Sequence, residues 1–180
     1  MSEWIWYLTR STGIVAALLA VATIIWGLFF SARNTGRRLK ANWWLALHNR
    51  LGGLTLVFTG LHMLFALLDT DAGLRLVDLF VPNGRAEWAI GSGVVAFWLF
   101  AMLVFTSLGR VRRLLPRKAW HLLHLLSIPA AMLTVFHAIQ AGSDALATWF
   151  TRGLALLGGL AVYPLTVRLI GVAQRRRAVA

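Results

Sequence analysis

Residues 44–68 read WLALHNRLGGLTLVFTGLHMLFALL. One formal charge, Arg50, interrupts these 25 residues. A helix of that length rises about 37 Å, more than the roughly 30 Å of a bilayer's hydrocarbon core. The stretch predicts a transmembrane helix, and it carries two histidines, His48 and His62.

Four similar runs occupy 12–31, 87–108, 120–142 and 148–173. Each is long enough to cross a bilayer, and 59% of the 180 residues are hydrophobic. The expected architecture is an all-α integral membrane protein, a five-helix transmembrane bundle forming one domain over 1–180. The first run is too long for the apolar part of a cleavable signal peptide, and its positive flank follows it, so it is expected to stay as a span. The chain has no cysteine, which excludes disulfides, thiolate catalysis, Cys-ligated zinc and iron–sulfur clusters. No glycine-rich phosphate loop follows a strand pattern, so no nucleotide-binding module is expected.

The net charge of +12 is concentrated at the ends of apolar runs. Arg33, Arg37, Arg38 and Lys40 follow the first, and Arg110, Arg112, Arg113, Arg117 and Lys118 follow the third. Arg175, Arg176 and Arg177 follow the fifth. That pattern is the positive-inside signature of cytoplasmic loops rather than a nucleic-acid groove. It places the N-terminus outside and the C-terminus in the cytoplasm. All six acidic residues, Glu3, Asp69, Asp71, Asp78, Glu87 and Asp144, then fall outside. Trp43, Trp44, Trp88, Trp120 and Trp149 mark the span ends, as interfacial tryptophans do. The 69–86 connection is expected to lie on the outer surface as a short amphipathic piece before a turn at Pro82-Asn83-Gly84.

The five histidines fall in two spans only: His48 and His62 in the second, and His121, His124 and His137 in the fourth. A lone membrane histidine often does no more than bond a neighbouring helix. These match in depth. His48 lies four residues past Trp44 and His124 four past Trp120, while His62 and His137 each lie seven before an aspartate. Spans two and four run in the same direction, so one histidine of each faces its counterpart at two levels. Opposed imidazoles supply both axial ligands of a haem iron. The 14-residue and 13-residue intervals correspond to separations of about 21 and 20 Å.

Helical phase supports this arrangement on one span alone. His62 falls about 40° from the face of His48, but His137 falls about 140° from that of His124. Pro129, between the latter two, removes a backbone bond, and a kink there would change the phase. His121 and His124 are both candidates for the inner ligand, three residues apart on one face; His124 fits the depth better. His121, nearer the headgroups, would then meet a propionate or solvent. Arg50 is a candidate either for a haem propionate or for snorkelling to headgroups. Arg75 and Arg85 lie outside, where they would attract an anion, and Arg152 and Arg168 flank span five as anchors. Gly52, Gly53 and Gly60 are expected to permit close helix approach.

Leu47-His48-Asn49-Arg50-Leu51-Gly52, Leu61-His62, Trp120-His121-Leu122-Leu123-His124, Phe136-His137-Ala138 and Ala141-Gly142-Ser143-Asp144 resemble the ferric reductase-like transmembrane family. That family includes the membrane cores of ferric reductases and NADPH oxidases, and the haem subunit of a bacterial periplasmic methionine sulfoxide repair system. The resemblance covers roughly 12–172. It implies two b-type haems, ligated by His48 with His124 and by His62 with His137, with His121 a non-ligand. Many members have a sixth span, which would precede the first one here. Full reductases also carry cytoplasmic flavin and nicotinamide domains, which are not recognised in this chain.

The resulting expectation is an oxidoreductase component of a bacterial plasma membrane that carries electrons between two haems. A cytoplasmic flavoprotein or a quinol would be the donor, and ferric iron or another extracytoplasmic acceptor the sink. A superoxide-producing oxidase core uses the same residues. A haem anchor for an extracytoplasmic flavoprotein and a haem-free membrane scaffold are the other readings.

Overall fold

The computed structural model describes residues 3–31, 41–82 and 88–177. The expected basic cluster at Arg33, Arg37, Arg38 and Lys40, together with Asn83, Gly84, Arg85 and Glu87, lies outside the described residues, as do the side chains of Arg168 and 175–177. Helix α1 is Glu3–Ser31, α2 Ala41–Leu68, α3 Leu76–Phe80 and α4 Trp88–Ser107. Then come α5 Gly109–Leu114, α6 Arg117–Leu125, α7 Ser127–Ala141 and α8 Thr148–Arg177. No strand occurs among the described residues. Five stretches are long and apolar enough to cross a membrane: α1, α2, α4, the α6–α7 pair and α8. The chain is a multi-pass membrane protein.

Helix α1 begins at Glu3, well before the apolar run that announces it. Thr9 and Thr12 return their hydroxyls to the carbonyls of Ile5 and Leu8, so the polar first turns stay helical without leaving donors unpaired. Little of the surface of any span is buried within the protein. Phe105, Leu156, Val162 and Leu169 are all more than half exposed, as lipid-facing side chains are, because acyl chains are as apolar as leucine.

The packing is organised as a ring. α1 lies extensively against α2, and α4 against α7, with thinner seams joining α2 to α4 and α7 to α1. α8 stands outside the ring on α1, where Tyr163 meets Phe29 with ring centres 5.9 Å apart. The two diagonals, α2 to α6–α7 and α1 to α4, have no comparable backbone approach. The histidine-bearing helices face each other across one of these diagonals.

The fourth span is not one straight rod. α6 ends at Leu125 and α7 starts at Ser127, with Leu126 closing a tight turn through its N–H to the carbonyl of Leu123 at 3.0 Å. Pro129 is the cause. It has no N–H to give to Leu125, and its ring crowds that carbonyl, so regular helix cannot run through.

In the 69–86 connection the described part is a turn and the five-residue α3. Arg75 and Asp78 form a reciprocal cap: the Arg75 backbone N–H donates to Asp78 Oδ2 at 3.0 Å, and its guanidinium grips the same carboxylate at 3.1 Å. That contact raises the already high pKa of the Arg75 guanidinium. Trp98 Nε1 of α4 donates to the carbonyl of Phe80 at 2.9 Å and docks the segment. Leu76, Val77 and Val81 remain exposed, an apolar face at the edge of the bundle.

Candidate haem-binding site

Two imidazole pairs bridge the diagonal. The rings of His48 and His124 lie with centres 6.0 Å apart and planes at 57°. Those of His62 and His137 lie 6.1 Å apart at 77°. Imidazole–metal bonds are about 2.0 Å long, and each ring centre lies roughly 1 Å behind its nitrogen, so two rings on one metal have centres about 6 Å apart. Both separations fit a single metal ion between the rings. No cluster of three or more potential ligands occurs among the described residues.

The break at Leu126 resolves the phase conflict of the fourth span. A straight helix would turn His124 and His137 about 140° apart. The tight turn resets the rotation, and both rings reach α2.

Three of the four rings are anchored from behind. His62 Nδ1 meets the carbonyl of Thr9 at 2.9 Å, His48 Nδ1 that of Thr23 at 3.1 Å, and His137 Nδ1 that of Ala89 at 2.7 Å. A carbonyl only accepts, so Nδ1 carries the proton in each and donates it. Nε2 is left with its lone pair free for a metal, and the imidazole becomes a stronger donor.

His124 differs. Its Nδ1 is buried with no partner among the described residues. Its ring is stacked on Trp120 at 4.7 Å and 23°, and the Arg112 guanidinium covers Trp120 at 4.4 Å. The indole N–H groups of Trp26, Trp44 and Trp120 and the hydroxyl of Ser107 are also buried without partners among the described residues. Trp44 and Trp120 each sit one turn from a histidine of this pair. Haem brings two carboxylates as acceptors, which suits such a set of donors.

His121 is exposed, its ring 6.3 Å from Trp120. Of the two inner candidates, the structure brings His124 rather than His121 to His48. Arg50 is exposed and about 200° round α2 from His48, off the face that carries the rings. The glycines singled out on α2 also have other surroundings. A Cβ on Gly53 or Gly60 would meet nothing within 4 Å, and one on Gly52 would touch Thr23 and Val104 rather than an imidazole.

The glycines that do touch histidines were missed by sequence reasoning. They are Gly13 and Gly27 of α1, against His62 and His48, and Gly93 of α4, against His137. A signal was present: Gly13 and Gly27 are 14 residues apart, as His48 and His62 are.

Residues 11–135 match the family described as ferric reductase like transmembrane component, more than two thirds of the chain. His48, His62 and His124 lie inside the match, and His137 two residues beyond it. No curated protein and no solved structure matches the chain. On the extent of that family match, the chain belongs to the ferric reductase-like transmembrane family.

Proposed function

We propose that this protein carries electrons across a bacterial plasma membrane through two b-type haems. His48 and His124 would hold one near the basic, cytoplasmic end, and His62 and His137 the other near the opposite face. The observation that carries this reading is the pairing of imidazoles at two levels, with ring centres 6.0 and 6.1 Å apart.

Haem iron held by two imidazoles supplies one-electron redox chemistry with no open coordination position, which favours electron transfer over oxygen activation. The chain's residues do the rest. Thr9, Thr23 and Ala89 orient three imidazoles through their carbonyls. The N–H groups of Trp44 and Trp120, without partners among the described residues, would donate to the propionates of the inner group. The apolar side chains of the spans would keep water from between the two levels, which would keep the reorganisation cost of each electron step low. Electrons enter from a cytoplasmic flavoprotein or a quinol and leave to an extracytoplasmic acceptor such as ferric iron.

The test is a reduced-minus-oxidised spectrum and a haem-to-protein ratio on chain purified after expression with ample iron and porphyrin precursor. The expected result is b-type bands and two haems per chain. A folded, colourless protein would end the reading. Anaerobic reduction of a ferric chelate by reduced protein in vesicles would distinguish a reductase from an oxidase that needs oxygen.

A further inference from the structure

Each anchored imidazole uses the same local device. The accepting carbonyl belongs to residue i of a neighbouring helix, and residue i+4 of that helix is glycine: Thr9 with Gly13, Thr23 with Gly27, and Ala89 with Gly93. The reason is steric. A helical carbonyl already accepts from the N–H of i+4, and its remaining lone pair points outward beside the side chain at that position. Without a Cβ there, a foreign ring can lie flat on the helix and reach the oxygen. The fit is tight. A Cβ on Gly93 would fall 2.7 Å from His137 Nδ1, one on Gly13 would fall 2.9 Å from His62 Nδ1, and one on Gly27 would fall 3.0 Å from His48 Cε1.

The exception follows the same register. His124 precedes His137 by 13 residues, and the residue 13 beyond Gly93 on antiparallel α4 is Thr106. Thr106 is buried, and its own hydroxyl donates to the carbonyl of Met102 at 2.8 Å. Met102 is the residue four before Thr106, so by the spacing of the other three seats its carbonyl is the counterpart acceptor. Its outward lone pair is taken, the glycine is missing, and His124 Nδ1 has no partner among the described residues.

We propose that Gly13, Gly27 and Gly93 are positioning residues that seat the imidazoles of His62, His48 and His137 on helix carbonyls, while Thr106 closes the corresponding seat to His124. This rests on the two-haem reading and adds residues on two further helices to it. Each seat serves one haem level. Gly13 and Gly93 belong to the His62/His137 level, and Gly27 alone belongs to the His48/His124 level.

The test uses full-length, haem-loaded protein and two readouts, the b-type absorption bands and the low-spin ferric signal in electron paramagnetic resonance. His48→Ala and His62→Ala assign the bands to levels. Gly93→Ala and Gly13→Ala are expected to shift or remove the signal of the His62/His137 haem only, Gly93→Ala the more strongly. Gly27→Ala is expected to affect the other haem only. The unaffected haem in each chain reports that the bundle has folded. Gly158→Ala on α8, where a Cβ meets nothing within 4 Å, should change neither signal. Unchanged spectra in all three variants would overturn the proposal, and so would equal damage to both levels, which is the mark of general packing. A wild-type chain without haem would overturn the functional reading instead, and this inference with it.

Discussion

The guanidinium of Arg10, in the third turn of α1, holds the carboxylate of Asp144, between α7 and α8, through both Nε and Nη2. The pair is partly buried, with side-chain exposures of 32% and 14%. It ties the helix that seats His62 to the loop that follows His137, at one end of the bundle.

Breaking that fork should loosen one level before the other. Asp144→Asn is expected to cost about 1 kcal/mol, the scale of a charge-assisted, partly exposed pair. Thermal release of haem, followed by absorbance in detergent, should show the His62/His137 group leaving at lower temperature while the other is retained. Arg10→Lys should behave similarly, since an ammonium cannot make the two-pronged contact. Identical melting of both levels in the variants would contradict this.

The break at Leu126 is needed to bring both histidines of the fourth span to one partner. Pro129→Ala restores an N–H for Leu125 and permits regular helix. The expected outcome is lower haem occupancy at one level, with the chain still inserted and more helical by circular dichroism. Full occupancy of both levels would mean that tertiary packing, not Pro129, holds the bend.

His121 and His124 should separate cleanly. His124→Ala is expected to abolish the inner haem, whereas His121→Ala, at an exposed ring, should leave two haems per chain. A pyridine haemochrome count on each purified variant decides between them. Loss of a haem in His121→Ala would reverse the ligand assignment.

Thr106→Gly should open the Met102 carbonyl to His124. A new bond to Nδ1 makes the imidazole a stronger donor and favours ferric iron. The midpoint potential of the inner haem should then fall, by up to about 60 mV if one hydrogen bond is gained in full. A potentiometric titration with both haems resolved would show it, the outer midpoint serving as the internal standard. An unchanged inner midpoint would place the control of that ligand elsewhere.

The five spans and the depth matching of the histidines were readable from the sequence because hydropathy and rise per residue need no tertiary information. The phase of the fourth span was not. Pro129 announces a break, but the direction of the bend depends on what α7 packs against. Gly52, Gly53 and Gly60 stand out in the sequence because they share a helix with His48 and His62. The glycines that lie against the imidazoles are on the opposing helices, and only the antiparallel register of α1 on α2 and of α4 on α7 makes them neighbours. His124 showed the same limit: its lack of a partner for Nδ1 is visible only once the helices are packed.

Because the histidine-bearing helices meet only across a diagonal without close backbone approach, the packing allows assembly in two stages. The α1–α2 and α4–α7 hairpins have broad interfaces of their own and can form as each is inserted. Their union rests on thin seams, so on the two-haem reading the porphyrins would act as mortar between two finished halves, and iron supply would govern how much of the protein matures as well as how much of it is active.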